Sequence, residues 1–275
     1  MGTCNICGVS AGWFKEYHDD CKTKYQDGLS QLIELSVKTI LDPSESSKLA
    51  ERCKKIAFNN YIPEKKITDA IVVGWGNVLE KYIEDGLLSE EKEEILDSFA
   101  KTCGLTPDDL NKNGLLTKAM QAIVIRELVE GRIPQKIKPS MIPFNMQKSE
   151  TLVWIFNDVM YLEENTSRAY VGASQGVSVR IAKGLYYRTG AFSGHSVEKK
   201  SMAHKGTGVL GVTTKNIYFS SEWKSIKVPY IKILTFLPLS DGLGIHTDAK
   251  TAKAIAFITG DGWFVNNLVQ NLAHM

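Results

Sequence analysis

The chain has 275 residues, 43% of them hydrophobic and 23% charged, with a formal net charge of +2. It is too apolar to be a disordered chain and too long for one minimal domain. A charge this small excludes a general electrostatic attraction to nucleic acid or to a membrane surface. Met1 to Phe14 lacks the basic and then apolar run of a secretory signal. The longest apolar stretch, Ala70 to Leu79, is about half of the roughly 20 residues that a spanning helix requires. A cytoplasmic chain without a membrane span is therefore expected. The five cysteines are an odd number, with Cys53 and Cys103 isolated in helical contexts, so reduced thiols are expected rather than a disulfide framework.

The first 27 residues carry Cys4, Cys7, His18 and Cys21 in the pattern C-x2-C-x10-H-x2-C. Two close pairs of thiolate and imidazole ligands suit a tetrahedral zinc ion, because each short spacing aims both side chains at one point. With four protein ligands no coordination position stays open, so the zinc is expected to be structural. Gly8 suits the tight knuckle after Cys7, and Trp13, Phe14 and Tyr17 are expected to cover the site. The competing readings are a redox CxxC pair, or separate reduced thiols beside a surface histidine.

From residue 28 to 131 the apolar spacing is helical. Leu29, Leu32, Ile33, Ile40 and Leu41 share one face. Asp42-Pro43 and Thr106-Pro107-Asp108-Asp109 are helix starts, the second with the residues of a capping box, and Gly86, Gly104 and Gly131 are stops. Helices are expected near 29–41, 43–57, 64–85, 89–103 and 107–130, forming a bundle. Gly74-Trp75-Gly76 within a helix implies close packing or a kink. The run Glu90, Glu91, Glu93, Glu94 lacks the alternating ligands and central glycine of a calcium loop and reads as a solvated first turn.

Residues 132–149 form a linker with Arg132, Lys136, Lys138, Lys148 and three prolines. From 150 to 275 the apolar period becomes two. Strands are expected at 151–163, 176–188, 197–202, 208–213, 216–221, 225–228, 231–237, 243–247 and 254–259, with Ser240-Asp241-Gly242 as a turn at which glycine takes positive φ. Phe264, Leu268 and Leu272 then form the stripe of a final helix that caps a small barrel. The fold class expected is α+β and multidomain: zinc knuckle, helical bundle and antiparallel barrel. Leu268→Ala is expected to cost far more stability than Asn266→Ala.

Two stretches resemble known families. Gly208-Val209-Leu210-Gly211-Val212-Thr213, followed by Asn216-Ile217-Tyr218-Phe219 and Ile226-Lys227-Val228-Pro229-Tyr230-Ile231-Lys232-Ile233, resembles a run found in bacterial PH-like and GRAM-like domains. The likeness extends from Ser174 to Leu272 and implies a PH-like β-barrel capped by a helix, a fold that serves as a binding or structural module. Glu84-Asp85-Gly86-Leu87-Leu88-Ser89-Glu90-Glu91 is similar to one helix-to-helix turn of TerB-like helical proteins.

Gly172-Ala173-Ser174-Gln175-Gly176 matches G-x-S-x-G, but a hydrolase elbow needs a helix after the serine, and Val177 to Ile181 alternates as a strand. A loop is expected there, and a serine hydrolase at Ser174 is the third-ranked reading. Gly206 to Gly211 matches G-x-G-x-x-G without the helix that a dinucleotide site needs, and is expected to be a turn before a hairpin over 212–219. His195, His204 and His246 are too scattered for a second metal. Charge is divided unevenly, with a balance of −2 over residues 1–149 and +4 over 150–275. Arg180, Lys183, Arg188, Lys199, Lys200 and Lys205 concentrate the excess on one candidate anion- or partner-binding face. The close (K/R)-x-R pair of lipid-headgroup PH domains is lacking, so phosphoinositide is not expected. The resulting expectation is a non-enzymatic binding protein that engages a protein partner. A nucleic-acid binder using the knuckle and the basic face is the alternative.

Overall fold

The computed structural model describes residues 2–13, 15–135, 142–170, 178–182, 185–188, 196–248 and 253–275. For 166–170, 178–182, 185–188 and 196–200 it describes the backbone alone. The chain is α+β and divides into two compact units, Met1–Arg126 and Glu127–Met275.

The first unit opens with a short hairpin, β1 (Gly2–Thr3) and β2 (Ser10–Gly12). Helix α1 (Asp19–Leu41) follows directly, starting ten residues earlier than the apolar period indicates. His18 is its extended N-cap, and Asp19 and Asp20 oppose the dipole in the first turn. The stretch Asp19 to Lys24 is helical without an apolar face, which is why periodicity misses it. A 3₁₀ segment (Pro43–Lys48), rather than an α-helix, follows Asp42, whose side chain accepts from the Ser44 amide. Then come α2 (Leu49–Asn59), α3 (Glu64–Tyr82) and α4 (Glu90–Thr102), the last capped by Ser89. The helix expected over 107–130 is two helices. The capping box of Thr106 and Asp109 starts α5 (Pro107–Asn111), and Gly114 at φ +70° breaks the chain before α6 (Leu115–Val129).

The core of this unit includes Leu32, Ile40, Trp75, Leu79, Leu88 and Phe99. Gly74 and Gly76 reflect close packing: a Cβ on Gly74 would lie 2.6 Å from Ser36 Cβ, and one on Gly76 would lie 2.7 Å from Leu115 Cδ1. The acidic first turn of α4 is not simply solvated. Glu93 pairs at 2.8 Å with Arg126, whose other guanidinium nitrogen donates at 2.6 Å to the Leu88 carbonyl in the interior. Removing either partner would leave a buried charge or carbonyl uncompensated.

The second unit is built on a seven-stranded antiparallel sheet, curled into a half-barrel, in the order β8-β7-β6-β3-β11-β10-β9. These strands are β3 (Leu152–Tyr170), β6 (Ser196–Thr213), β7 (Asn216–Ser220), β8 (Ser225–Pro229), β9 (Ile233–Pro238), β10 (Gly242–Thr247) and β11 (Ile255–Ile258). A separate hairpin, β4 (Ser178–Ala182) with β5 (Leu185–Arg188), divides the strand expected over 176–188. The 197–202 and 208–213 strands are one, since β6 pairs with β3 from Leu152↔Thr213 to Tyr170↔Ser196. Gly206–Gly211 is therefore strand and not turn. Lys205 is the bulge residue, because Tyr161 opposes Gly206 while Leu162 opposes His204. A second irregularity lies between Phe156 and Val159, where Asp158 takes φ +55°.

The β6–β7 hairpin forms over 212–219, as the pattern indicates. Gly242 is not at positive φ. It is glycine because a Cβ there would lie 2.2 Å from the Phe257 carbonyl oxygen. Helix α7 (Gly262–His274) starts at Asp261, which accepts from the Phe264 amide at 2.9 Å, and packs against β9 and β10. Phe264, Leu268 and Leu272 are buried as the stripe predicts. Asn266 is buried too, off that stripe, and its amide donates to the Gly242 carbonyl at 3.0 Å. Asn266→Ala is thus not the neutral control that the stripe suggests.

Candidate functional site

The hairpin and the start of α1 bring Cys4, Cys7, His18 and Cys21 together, their ligand atoms all within 4.8 Å of one another. The Gly8 amide donates to the Cys4 carbonyl at 2.9 Å and the Cys4 amide to the Val9 carbonyl at 2.8 Å, closing the knuckle, with Gly8 at φ +76°. Cys4 is buried, and Cys7, His18 and Cys21 are half-buried. As N-cap and first-turn residues of one helix, His18 and Cys21 hold fixed positions relative to each other, and the helix N-terminus favours anionic sulfur.

His18 Nδ1 lies 3.4 Å from Cys7 Sγ and 3.5 Å from Cys21 Sγ, while its Nε2 lies 3.0 Å from the Ser10 carbonyl oxygen. A carbonyl only accepts, so Nε2 carries the proton and Nδ1 turns its lone pair towards the sulfurs. This backbone orienter on β2 is the part of the site that side-chain spacing does not reveal. By themselves the thiols conflict. Burial pushes Cys4 up, but backbone hydrogen bonds at Cys7, His18 and Ile6, and the Cys7 side chain, bring it down to about 6. Burial raises Cys21, and the hydrogen bonds and charges of Cys7 and Cys4 add to this, taking it to about 11. A bound cation removes that conflict by letting all the sulfurs ionise. The cluster can bind a metal ion.

The aromatic cover is not as expected. Trp13 is 74% exposed and Tyr17 half-buried, with Lys22 Nζ 5.1 Å from the Tyr17 ring centroid. Phe14 lies outside the described residues.

Most of the other sequence candidates fall on residues that are not described, or are described by backbone alone. Ser174, Lys183 and His195 lie outside the described residues. Arg180 and Arg188 fall on β4 and β5 and Lys199 and Lys200 on β6, described as backbone, while Lys205 is exposed at the β6 bulge. His204 is exposed beside Thr207, and His246 is half-buried on β10. Among the described residues no second His, Cys, Asp and Glu group has metal-binding geometry, and no helix is long and apolar enough to cross a membrane.

A polar cluster that the sequence does not announce lies in the second unit. The buried carboxylate of Glu150 accepts from Thr213 Oγ1 at 2.9 Å and Tyr218 OH at 3.1 Å, with Lys227 Nζ 3.7 Å away. Burial raises its pKa, but hydrogen bonds from Thr213, Asn216 and Tyr218 together with the Lys227 charge outweigh this and hold it below the usual carboxylate range. With its oxygens engaged by fixed partners the group pins the start of β3 to β6 and β7. Compared with known proteins, the chain matches no family model, no curated relative and no solved structure.

Proposed function

We propose that the protein is a non-enzymatic binding protein whose knuckle is held by a structural zinc ion and whose PH-like half-barrel engages a protein partner. Zinc is supported by ligand chemistry and distance. Zn–S of about 2.3 Å and Zn–N of about 2.0–2.1 Å put nitrogen and sulfur about 3.6 Å apart across a tetrahedral angle. The 3.4 and 3.5 Å separations at His18 match that value. Three thiolates and one imidazole fill the tetrahedron, so the ion would hold the hairpin to α1 and leave no position for substrate. The PH-like reading is supported by a four-strand run (β3, β6, β7, β8) and a three-strand run (β9, β10, β11), joined where β11 pairs with β3 and followed by a helix.

The observation that carries the partner class is the apolar exterior of the half-barrel. Trp223, on the β7–β8 turn, is 81% exposed and Ile231, before β9, is 92% exposed. By contrast, Lys224 is paired with Glu163 at 3.3 Å and Lys227 with Glu150, so these lysines are partly neutralised. Apolar exposure of this kind favours protein over phosphate. The test is retention of a partner from nuclease-treated lysate on the full chain at low and at high salt. A protein held at both is expected. Binding lost with nuclease, or falling about 10³-fold or more with salt, would replace this reading with nucleic-acid binding.

A further inference from the structure

The helical unit carries two adjoining cavities. One, of about 280 Å³, lies between the end of α1, the 3₁₀ segment and α4. The other, of about 530 Å³, lies between α2, the first two turns of α3 and the end of α4, and Ser46 and Thr102 line both. The larger one is mainly apolar. Cys53, Ala57, Ile62 and Ile71 are buried in its wall, and Phe58 on the same wall is 86% exposed.

The smaller cavity offers acceptors and few donors. Thr39, 3% exposed, donates its hydroxyl to the Leu35 carbonyl at 2.8 Å. Ser46 donates likewise to Pro43 at 2.7 Å and Thr102 to Ser98 at 2.9 Å. Each of these protons is committed to the backbone, so an oxygen lone pair is what remains for a ligand. Glu91 and Glu94, exposed and three apart on one face of α4, add two carboxylates that form no ion pair among the described residues. No lysine, arginine or histidine lines the cavity, which leaves the Ser98 hydroxyl as its one uncommitted side-chain donor among the described residues.

Like charges at that spacing destabilise a helix, and a cation between them relieves the cost. An ammonium group, with three donors and no acceptor, matches a lining made of acceptors. A metal ion fits less well, because no third His, Cys, Asp or Glu ligand atom converges with the two carboxylates. The adjoining apolar wall calls instead for carbon.

We propose that the paired cavities bind a small organic cation, a primary alkylammonium. Its head sits among Glu91, Glu94 and the Thr39, Ser46 and Thr102 oxygens, and its chain lies against α2 and α3. Charge-assisted hydrogen bonds at the head supply selectivity, and burial of the chain adds affinity. The site lies wholly within the first unit and stands apart from both the knuckle and the half-barrel.

Isothermal titration calorimetry of the full, metal-loaded chain at pH 7 tests this with octylamine, octanol and octanoate, each kept below its micelle concentration. The three share one chain and carry a positive, a neutral and a negative head. Octylamine should bind about tenfold or more tighter than octanol, and octanoate more weakly still. Glu91→Gln with Glu94→Gln should bring octylamine down to the level of octanol and leave octanol unchanged. Both positions are exposed, and circular dichroism confirms that the variant is folded. Ala50→Trp, which fills the larger cavity from an exposed position on its wall, should weaken octylamine and octanol alike. No binding of octylamine, equal affinity for all three probes, or octylamine binding that survives the glutamine pair would overturn the proposal. Displacement of octylamine by equimolar calcium would overturn it too, in favour of a metal site.

Discussion

Replacing Phe264 by alanine empties the contact between α7 and the sheet. Its ring is fully buried, with its centroid 4.8 Å from that of Trp154 in an edge-on contact and 5.7 Å from that of Phe156. Truncating a buried phenylalanine removes its transfer free energy and leaves a cavity, together about 3–5 kcal/mol. Within that sum each aromatic contact accounts for about 0.5–1.5 kcal/mol. A domain has about 5–15 kcal/mol in all. For a unit of this size the loss is a fall of roughly 6–20 °C in Tm. Trp263→Ala, at the neighbouring half-exposed position, should cost less than about 1 kcal/mol. The assay is thermal unfolding of the full chain, with hydrogen exchange at the β10 and β11 amides reporting that this unit is the one that melts. Equal midpoints for the two variants would refute the capping role of α7.

Three further outcomes follow from the packing. Gly74→Ala gains helix propensity of about 1 kcal/mol, yet its Cβ would sit 2.6 Å from Ser36 Cβ. It should still destabilise the first unit by about 1–3 kcal/mol in urea unfolding. Asn266→Ala should cost about 1–3 kcal/mol by the same measurement, since it removes two hydrogen bonds at about 0.5–1.5 kcal/mol each, from its amide to the Gly242 carbonyl at 3.0 Å and to the Gly262 carbonyl at 2.6 Å. Glu150 is held below the ordinary carboxylate range, so its contribution is complete above its unfolded value, about 4.3, and is lost as pH falls through its lower folded value. Glu150→Gln should flatten the acid limb of the second unit's stability profile, and an unchanged limb would contradict the cluster's role.

Elements announced by local chemistry were legible in the sequence: the capping box at Thr106 and Asp109, the stripe of α7 and the alternation of the sheet strands. Those whose reason lies across the fold were not. The start of α1 is polar all round and is set by the knuckle that precedes it. β6 is rich in glycine because neighbours press on it, as where a Cβ on Gly211 would lie 2.4 Å from the Phe144 ring. Glu150 meets Thr213 and Tyr218 from 63 and 68 residues away, beyond the reach of any spacing rule. The metal ligands were readable because two pairs at short spacing carry their geometry with them. The Ser10 carbonyl that orients His18 was not, because any residue supplies a carbonyl.

Metal content per chain is the most direct test of the central claim, that the four-residue cluster is a structural zinc site. Elemental analysis of protein purified without added metal or chelator should give about one zinc per chain. Cys4→Ser and His18→Ala should each lose it, while hydrogen exchange shows the sheet of the second unit still folded. Folded wild-type protein without metal, or zinc retained by both variants, would contradict the account.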